Sequence, residues 1–181
     1  MVTIGFLELN SIAKGIEAAD AMCKAARVNL ISSKASCPGK YHILITGEVS
    51  AVQSSMKAGK MIAPNNIIDE LIIPRVHPEV VDAINMSSMP ENPSAIGVLE
   101  YFSVAGSIYG ADAAVKSANV HIIEIRLGTG IGGKSFVTLT GDVSAVETAV
   151  KNGALTAQES GLLVNKVVIA HPDKALLKSL F

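Results

Sequence analysis

The sequence predicts an α+β protein: two tandem β-α-β-β-α-β domains of ferredoxin-like type, each an antiparallel sheet with its helices on one face. Three observations carry that prediction. The chain repeats itself, strand-like and helix-like runs follow one another in the same order in each copy, and a proline-containing polar stretch separates the copies. Ile4-Gly5-Phe6-Leu7-Glu8 meets Ile96-Gly97-Val98-Leu99-Glu100, an offset of 92. Ala19-Asp20-Ala21 then meets Ala111-Asp112-Ala113, and Lys24, Ala26, Val28 and Ile31 meet Lys116, Ala118, Val120 and Ile123. Two residues are gained in a loop, and the offset becomes 94. Gly39-Lys40 meets Gly133-Lys134, Val49-Ser50-Ala51-Val52 meets Val143-Ser144-Ala145-Val146, and His77-Pro78 is matched to His171-Pro172. The joint spans residues 85–94, so the expected domains are 1–86 and 94–181.

Within copy one, residues 2–9 alternate weakly and read as a strand. Ser11 is placed as an N-cap. Ile12, Ile16, Ala19, Cys23 and Ala26 recur at three- and four-residue spacing, which predicts a helix burying that face. Residues 28–33 and 41–46 are apolar, β-branched runs and read as paired strands. Residues 50–62 follow as a second helix with Val52 and Met56 inward. Residues 67–74 form a last strand and 78–84 a short terminal helix. Copy two repeats this order through 94–181.

Composition narrows the function classes. Hydrophobic residues make up 49% of the 181 and charged ones 17%, against about 25% charged in ordinary domains. Such a chain is expected to bury surface between subunits as well as inside a core. No apolar run reaches the ~18–20 residues that span a membrane, and the first residues lack the basic start of a signal peptide. The net charge of −1, with no basic block, argues against nucleic acid as a partner. Two cysteines make no disulfide framework, which fits a reducing cytosol.

The chain is organised around the loop Ser36-Cys37-Pro38-Gly39-Lys40 and its counterpart, Gly128-Thr129-Gly130-Ile131-Gly132-Gly133-Lys134. The two loops are read as lining a pore at a symmetry axis. The second one, with Ser135, fits G-x-x-x-x-G-K-[ST], but that motif holds phosphate only where the loop opens a helix. Here the β-branched run 136–141 follows and reads as a strand, so the glycines are read as a flexible turn. Cys23 lies on the predicted inner helix face and is read as core. Cys37 sits in a turn. At a threefold axis one such thiol per chain becomes three, enough to hold most of an iron–sulfur cluster. His77 and His171 precede prolines and are read as helix-start or interface residues. His42 and His121 have no partner visible in the sequence. Neither paired carboxylates nor a nucleophile elbow is evident, so no catalytic residue is assigned.

The combination Ile-Gly-x-Leu-Glu, Ala-Asp-Ala-x-x-Lys-x-Ala, a loop Gly-Lys, Thr-Gly-[Glu/Asp]-Val-Ser-Ala-Val and Ile-Pro-Arg-x-His-Pro resembles bacterial microcompartment shell domains. The fused pair resembles the tandem, trimer-forming shell proteins of the propanediol-utilisation type, over residues 3–85 and 95–180. The resemblance implies a homotrimer with a pseudo-hexagonal outline and a central pore, packed with other shell proteins into a wall around enzymes. It implies a cytoplasmic compartment shell and no enzymatic activity. It places tile-edge contacts on Lys24, Lys116 and Arg75, with Ile169 taken as the copy-two match of Arg75. It implies a four-iron four-sulfur cluster, one per trimer, held by Cys37 of each chain, serving electron transfer to some partner or redox sensing across the shell. Two alternatives stay open: a tile with an open pore passing metabolites, and a trimeric nucleotide-binding regulator.

Overall fold

The computed structural model describes residues 2–88, 90 and 93–180; Met89, Glu91 and Asn92 of the expected linker lie outside them. Copy one runs β1 (Thr3–Leu9), α1 (Ile12–Ala25), β2 (Asn29–Ser36), β3 (Lys40–Gly47), α2 (Val49–Ile62), β4 (Ile67–Ile73) and α3 (Pro78–Asn85). Copy two runs β5 (Ala95–Tyr101), α4 (Val104–Ser117), β6 (Val120–Leu127), β7 (Ser135–Gly141), α5 (Val143–Glu159), β8 (Leu163–Ala170) and α6 (Lys174–Leu180). The sheets are ordered β2-β3-β1-β4 and β6-β7-β5-β8, antiparallel throughout. This is the expected fold class, and the central strands explain it. β1 and β3 are almost wholly buried, so their backbone N–H and C=O groups need a partner strand on both edges.

The chain separates into two compact units, Met1–Val76 with Gly128–Gly133, and His77–Leu127 with Lys134–Phe181. The long loop of copy two therefore belongs with the first unit and α3 with the second. The core of the first unit is built from Leu7, Leu9, Ala18, Met22, Tyr41, Ile43, Ile45, Val52 and Met56. Ser11 caps α1 as expected, its Oγ accepting the Lys14 N–H at 3.4 Å.

The inner face of α1 differs from the expectation. Gly15, Ala18, Ala19 and Met22 are the buried residues, while Ile12, Ile16 and Cys23 are exposed. Three- and four-residue spacing fixes a stripe on a helix but not which of two adjacent stripes faces inward. Small residues win here because the sheet comes close: a Cβ on Gly15 would collide with the Tyr41 ring. Cys23 is therefore an exposed thiol and not a core residue.

A cross-strand pair shows how the two cores diverged without changing fold. Leu9 faces Tyr41 in copy one, and Tyr101 faces Ser135 at the same register in copy two. The bulky ring has moved from one strand to its neighbour, and the glycine that admits it has moved from Gly15 to Gly110. Burial pushes the Tyr101 phenol well above its ordinary range, so it stays neutral and donates to the Gly153 carbonyl at 3.0 Å.

The repeat register also needs correction at its end. Ile4 pairs with Ile73, and its equivalent Ile96 pairs with Ile169, so the last strands match at an offset of 96. Helix α5 is three residues longer than α2 (17 against 14) and the turn after it is one shorter, so the frame shifts by two. Arg75 thus corresponds to His171, not Ile169, and the two share a left-handed backbone with φ of 55° and 49°. His77 corresponds to Asp173, so the repeated His-Pro is a coincidence of sequence. His77 is the N-cap of α3 with Pro78 following, as a helix-start role requires.

Candidate functional site

β2 and β3 are joined by the turn that holds Cys37. The Gly39 N–H donates to the Ser36 carbonyl at 2.9 Å and closes four residues with Cys37 and Pro38 in the middle. The Cys37–Pro38 bond is cis, and Gly39 takes a φ of 92° that glycine adopts without strain. Pro38 and Gly39 are exposed and the free Cys37 thiol is half-buried.

The loop of copy two lies in the same compact unit. Gly128, Gly130, Gly132 and Gly133 all have positive φ, which is why glycine recurs there, and Thr129 and Ile131 fill the positions between them. Strand β7 starts at Ser135, so no helix follows this loop and the P-loop match has no phosphate-binding geometry behind it. The Cys37 N–H donates to the Gly128 carbonyl at 3.3 Å. A side chain on Gly133 would come within 2.9 Å of the Cys37 carbonyl oxygen. The cysteine backbone is thus bonded to the glycine loop and approached by it at Gly133, where only glycine fits.

Both stems of the Cys37 turn converge on one carboxylate. Glu8 on β1 is 2% exposed. Its Oε1 accepts from His42 Nε2 at 2.8 Å and from Lys40 Nζ at 3.1 Å. Ser36 Oγ lies 2.8 Å from the same His42 nitrogen. Burial alone would raise the Glu8 pKa, but the His42 hydrogen bond and the Lys40 charge outweigh it and hold it below its ordinary value. His42 Nδ1 is buried with no partner. Sequence reading missed this network: Glu8 and His42 are 34 positions apart, and only the β1–β3 register sets them side by side. In copy two, Lys134 pairs with Glu100, while Phe136 stands where His42 would be and carries Arg126 over its ring at 5.5 Å.

One chain brings one thiol to this loop, and among the described residues no three metal-ligand side chains cluster. A metal centre here would need Cys37 from several copies. The expected edge residues Lys24, Lys116 and Arg75 are all exposed, and Lys24 and Lys116 pair with Asp20 and Asp112 four residues earlier, each at 2.6 Å. No helix among the described residues is long and apolar enough to cross a membrane.

The chain is two copies of one small sheet-and-helix module, and Ile12, Ile16, Leu176 and Leu180 are exposed apolar side chains among the described residues. Residues 3–76 and 95–172 both match the BMC domain model, and the chain belongs to this family of bacterial microcompartment shell proteins. It is 42% identical over 177 residues to the microcompartment shell protein PduT of Citrobacter freundii, covering 98% of this chain and 96% of that one. Over 80 residues it is 36% identical to the carboxysome shell protein CcmK2 of Synechococcus elongatus, spanning 78% of that shorter protein. Among solved structures, a microcompartment protein from Desulfitobacterium hafniense DCB superposes with a TM-score of 0.93 at 53% identity, covering 98% of this chain and 99% of that one. A fused permuted hexameric shell protein of the RMM microcompartment shares the fold, with a TM-score of 0.65 at 20% identity over 86% of this chain and 81% of that one. The protein is a structural shell component and not an enzyme.

Proposed function

We propose that three chains close head to tail into a pseudo-hexagonal tile whose pore is lined by three Cys37 loops and three glycine loops. One observation carries the ring: the junction made once inside the chain is left unmade at its end. Helix α3 packs on β6 and α4. Val80 and Ala83 are buried, the His77 N–H donates to Asp112 at 2.8 Å, and Glu79 accepts from the Ile122 N–H at 3.0 Å. Its counterpart α6 buries nothing, and Leu176 and Leu180 are exposed. The counterpart receiving surface is bare as well. Ile12, Ile16 and Cys23 on α1 are exposed, whereas Val104, Ile108 and Val115 at the same positions of α4 are buried; β2 is largely exposed where β6 is buried. A second copy's α6 on α1 and β2 satisfies both surfaces, and repeating the contact closes a ring.

In such a ring the three Cys37 thiols meet at the axis. The half-buried free thiol, its glycine-clamped backbone and the braced turn support a four-iron four-sulfur cluster held by one cysteine per chain. Such a cluster supplies one-electron redox chemistry, suited to electron transfer or redox sensing across the shell. Anaerobic reconstitution with iron and sulfide, followed by metal analysis and electron paramagnetic resonance, tests this. About four irons per three chains are expected, lost in Cys37→Ser with the ring intact. Wild type that takes up no iron makes the tile an open pore; iron retained in Cys37→Ser rules out Cys37 as the ligand.

A further inference from the structure

The buried network beneath the Cys37 turn is not needed by the fold. Copy two builds the same sheet with Phe136 in place of His42 and keeps only the lysine–glutamate pair. Burying a carboxylate and an imidazole is costly unless both are fully bonded, and here the bonding is incomplete. A carboxylate only accepts, so His42 Nε2 carries a hydrogen that is shared between Glu8 Oε1 and Ser36 Oγ, and Nδ1 is buried without a hydrogen-bond partner. A residue selected for packing alone would be apolar at this place, as in copy two. The network occurs only in the copy that carries the cysteine. It grips the turn at both ends, through Ser36 immediately before Cys37 and through Lys40 immediately after Gly39.

We infer that Glu8 and His42 are positioning residues for Cys37: they brace both stems of its turn and so fix where the thiol stands. The inference rests on the reading of Cys37 as the working residue of the pore. A brace of this kind lowers the ordering cost of bringing three loops onto one shared centre. The glycine loop needs no such brace, because its task is only to leave room.

The test uses the full chain in a Cys23→Ala background, so that Cys37 is the sole thiol. The alkylation rate of Cys37 by iodoacetamide is measured for His42→Phe, His42→Gln and Glu8→Leu, alongside iron uptake on anaerobic reconstitution. His42→Phe and Glu8→Leu, which remove the donor and the acceptor, should react roughly fivefold faster, the factor given by losing one ordinary hydrogen bond that keeps the turn closed. His42→Gln, whose amide still offers an N–H, should stay within about twofold of the parent. Rates within twofold in both His42→Phe and Glu8→Leu overturn the inference, as does equal acceleration in His42→Gln and His42→Phe. If Glu8→Leu does not fold, His42→Phe decides alone, since copy two shows phenylalanine is accommodated there. Iron absent from the parent defeats the cluster reading, while the alkylation rates still decide the brace.

Discussion

Glu8 shows how one residue ties the Cys37 turn to stability. A carboxylate with a depressed folded pKa contributes stability that is present above its unfolded value and lost as pH falls through the folded one. An ordinary glutamate titrates near 4.5, and Glu8 lies below that. The protein should therefore lose stability on acidification below about pH 4.5. Glu8→Gln should flatten that acid limb and cost about 1–3 kcal/mol at pH 7, where Lys40 is left as a poorly matched cation. Denaturant melts at pH 7 and pH 3.5 check this; a wild-type-to-variant difference independent of pH contradicts it.

At the scale of elements, α6 and α3 occupy the same place in the repeat but have different fates. Leu176 matches the buried Val80, yet it is exposed. Covering an aliphatic side chain of that size contributes about 1.5–3 kcal/mol, so a few such contacts per junction favour closure of the ring. On the proposed ring, Leu176→Lys with Leu180→Lys should turn trimers into monomers in sedimentation velocity while barely changing circular dichroism. Cys23 reports the same event, because it lies on the α1 stripe that α6 would cover. It should react slowly with a thiol reagent in wild type and quickly in the double variant. A double variant that still sediments as a trimer places the closing contact elsewhere.

At the scale of the whole molecule, shell proteins assemble into tiles, and the proposed edge-to-edge contact of this one runs through Lys24, Lys116 and the left-handed turn of Arg75 and His171. An exposed lysine–aspartate pair at i,i+4 contributes only about 0.3–0.5 kcal/mol, so Lys24 is free to leave Asp20 for carbonyls of a neighbouring tile. Lys116 is held more firmly, because Asp112 is buried and also accepts the His77 N–H. Lys24→Asp combined with Lys116→Asp should abolish extended sheets in electron micrographs and leave the ring mass unchanged. Sheets as large as those of wild type refute this edge. In the proposed tile, the exchange of Arg75 for His171 makes the two kinds of edge chemically unequal.

The sequence by itself determined the duplication, the element order and the antiparallel fold, because strand and helix periodicity and the turn residues are local. It also singled out the Cys37 loop and rejected the phosphate-loop match, since a β-branched run after the glycines is legible as a strand. The inner face of α1 was not legible. Two adjacent stripes, Ile12-Ile16-Cys23 and Gly15-Ala18-Met22, both satisfy helical spacing, and the close approach of the Tyr41 ring chose the smaller one. The equivalence of Arg75 with His171 was hidden because the register of a strand is fixed by its partner, and a net two residues were added upstream, in the helix and the turn after it. The Glu8–His42–Ser36 network was hidden for the same reason: side chains from three strands meet only after the sheet forms. Tertiary structure alone decided which apolar surfaces stay bare, because exposure depends on what else packs there, and that is what points from one chain to a ring.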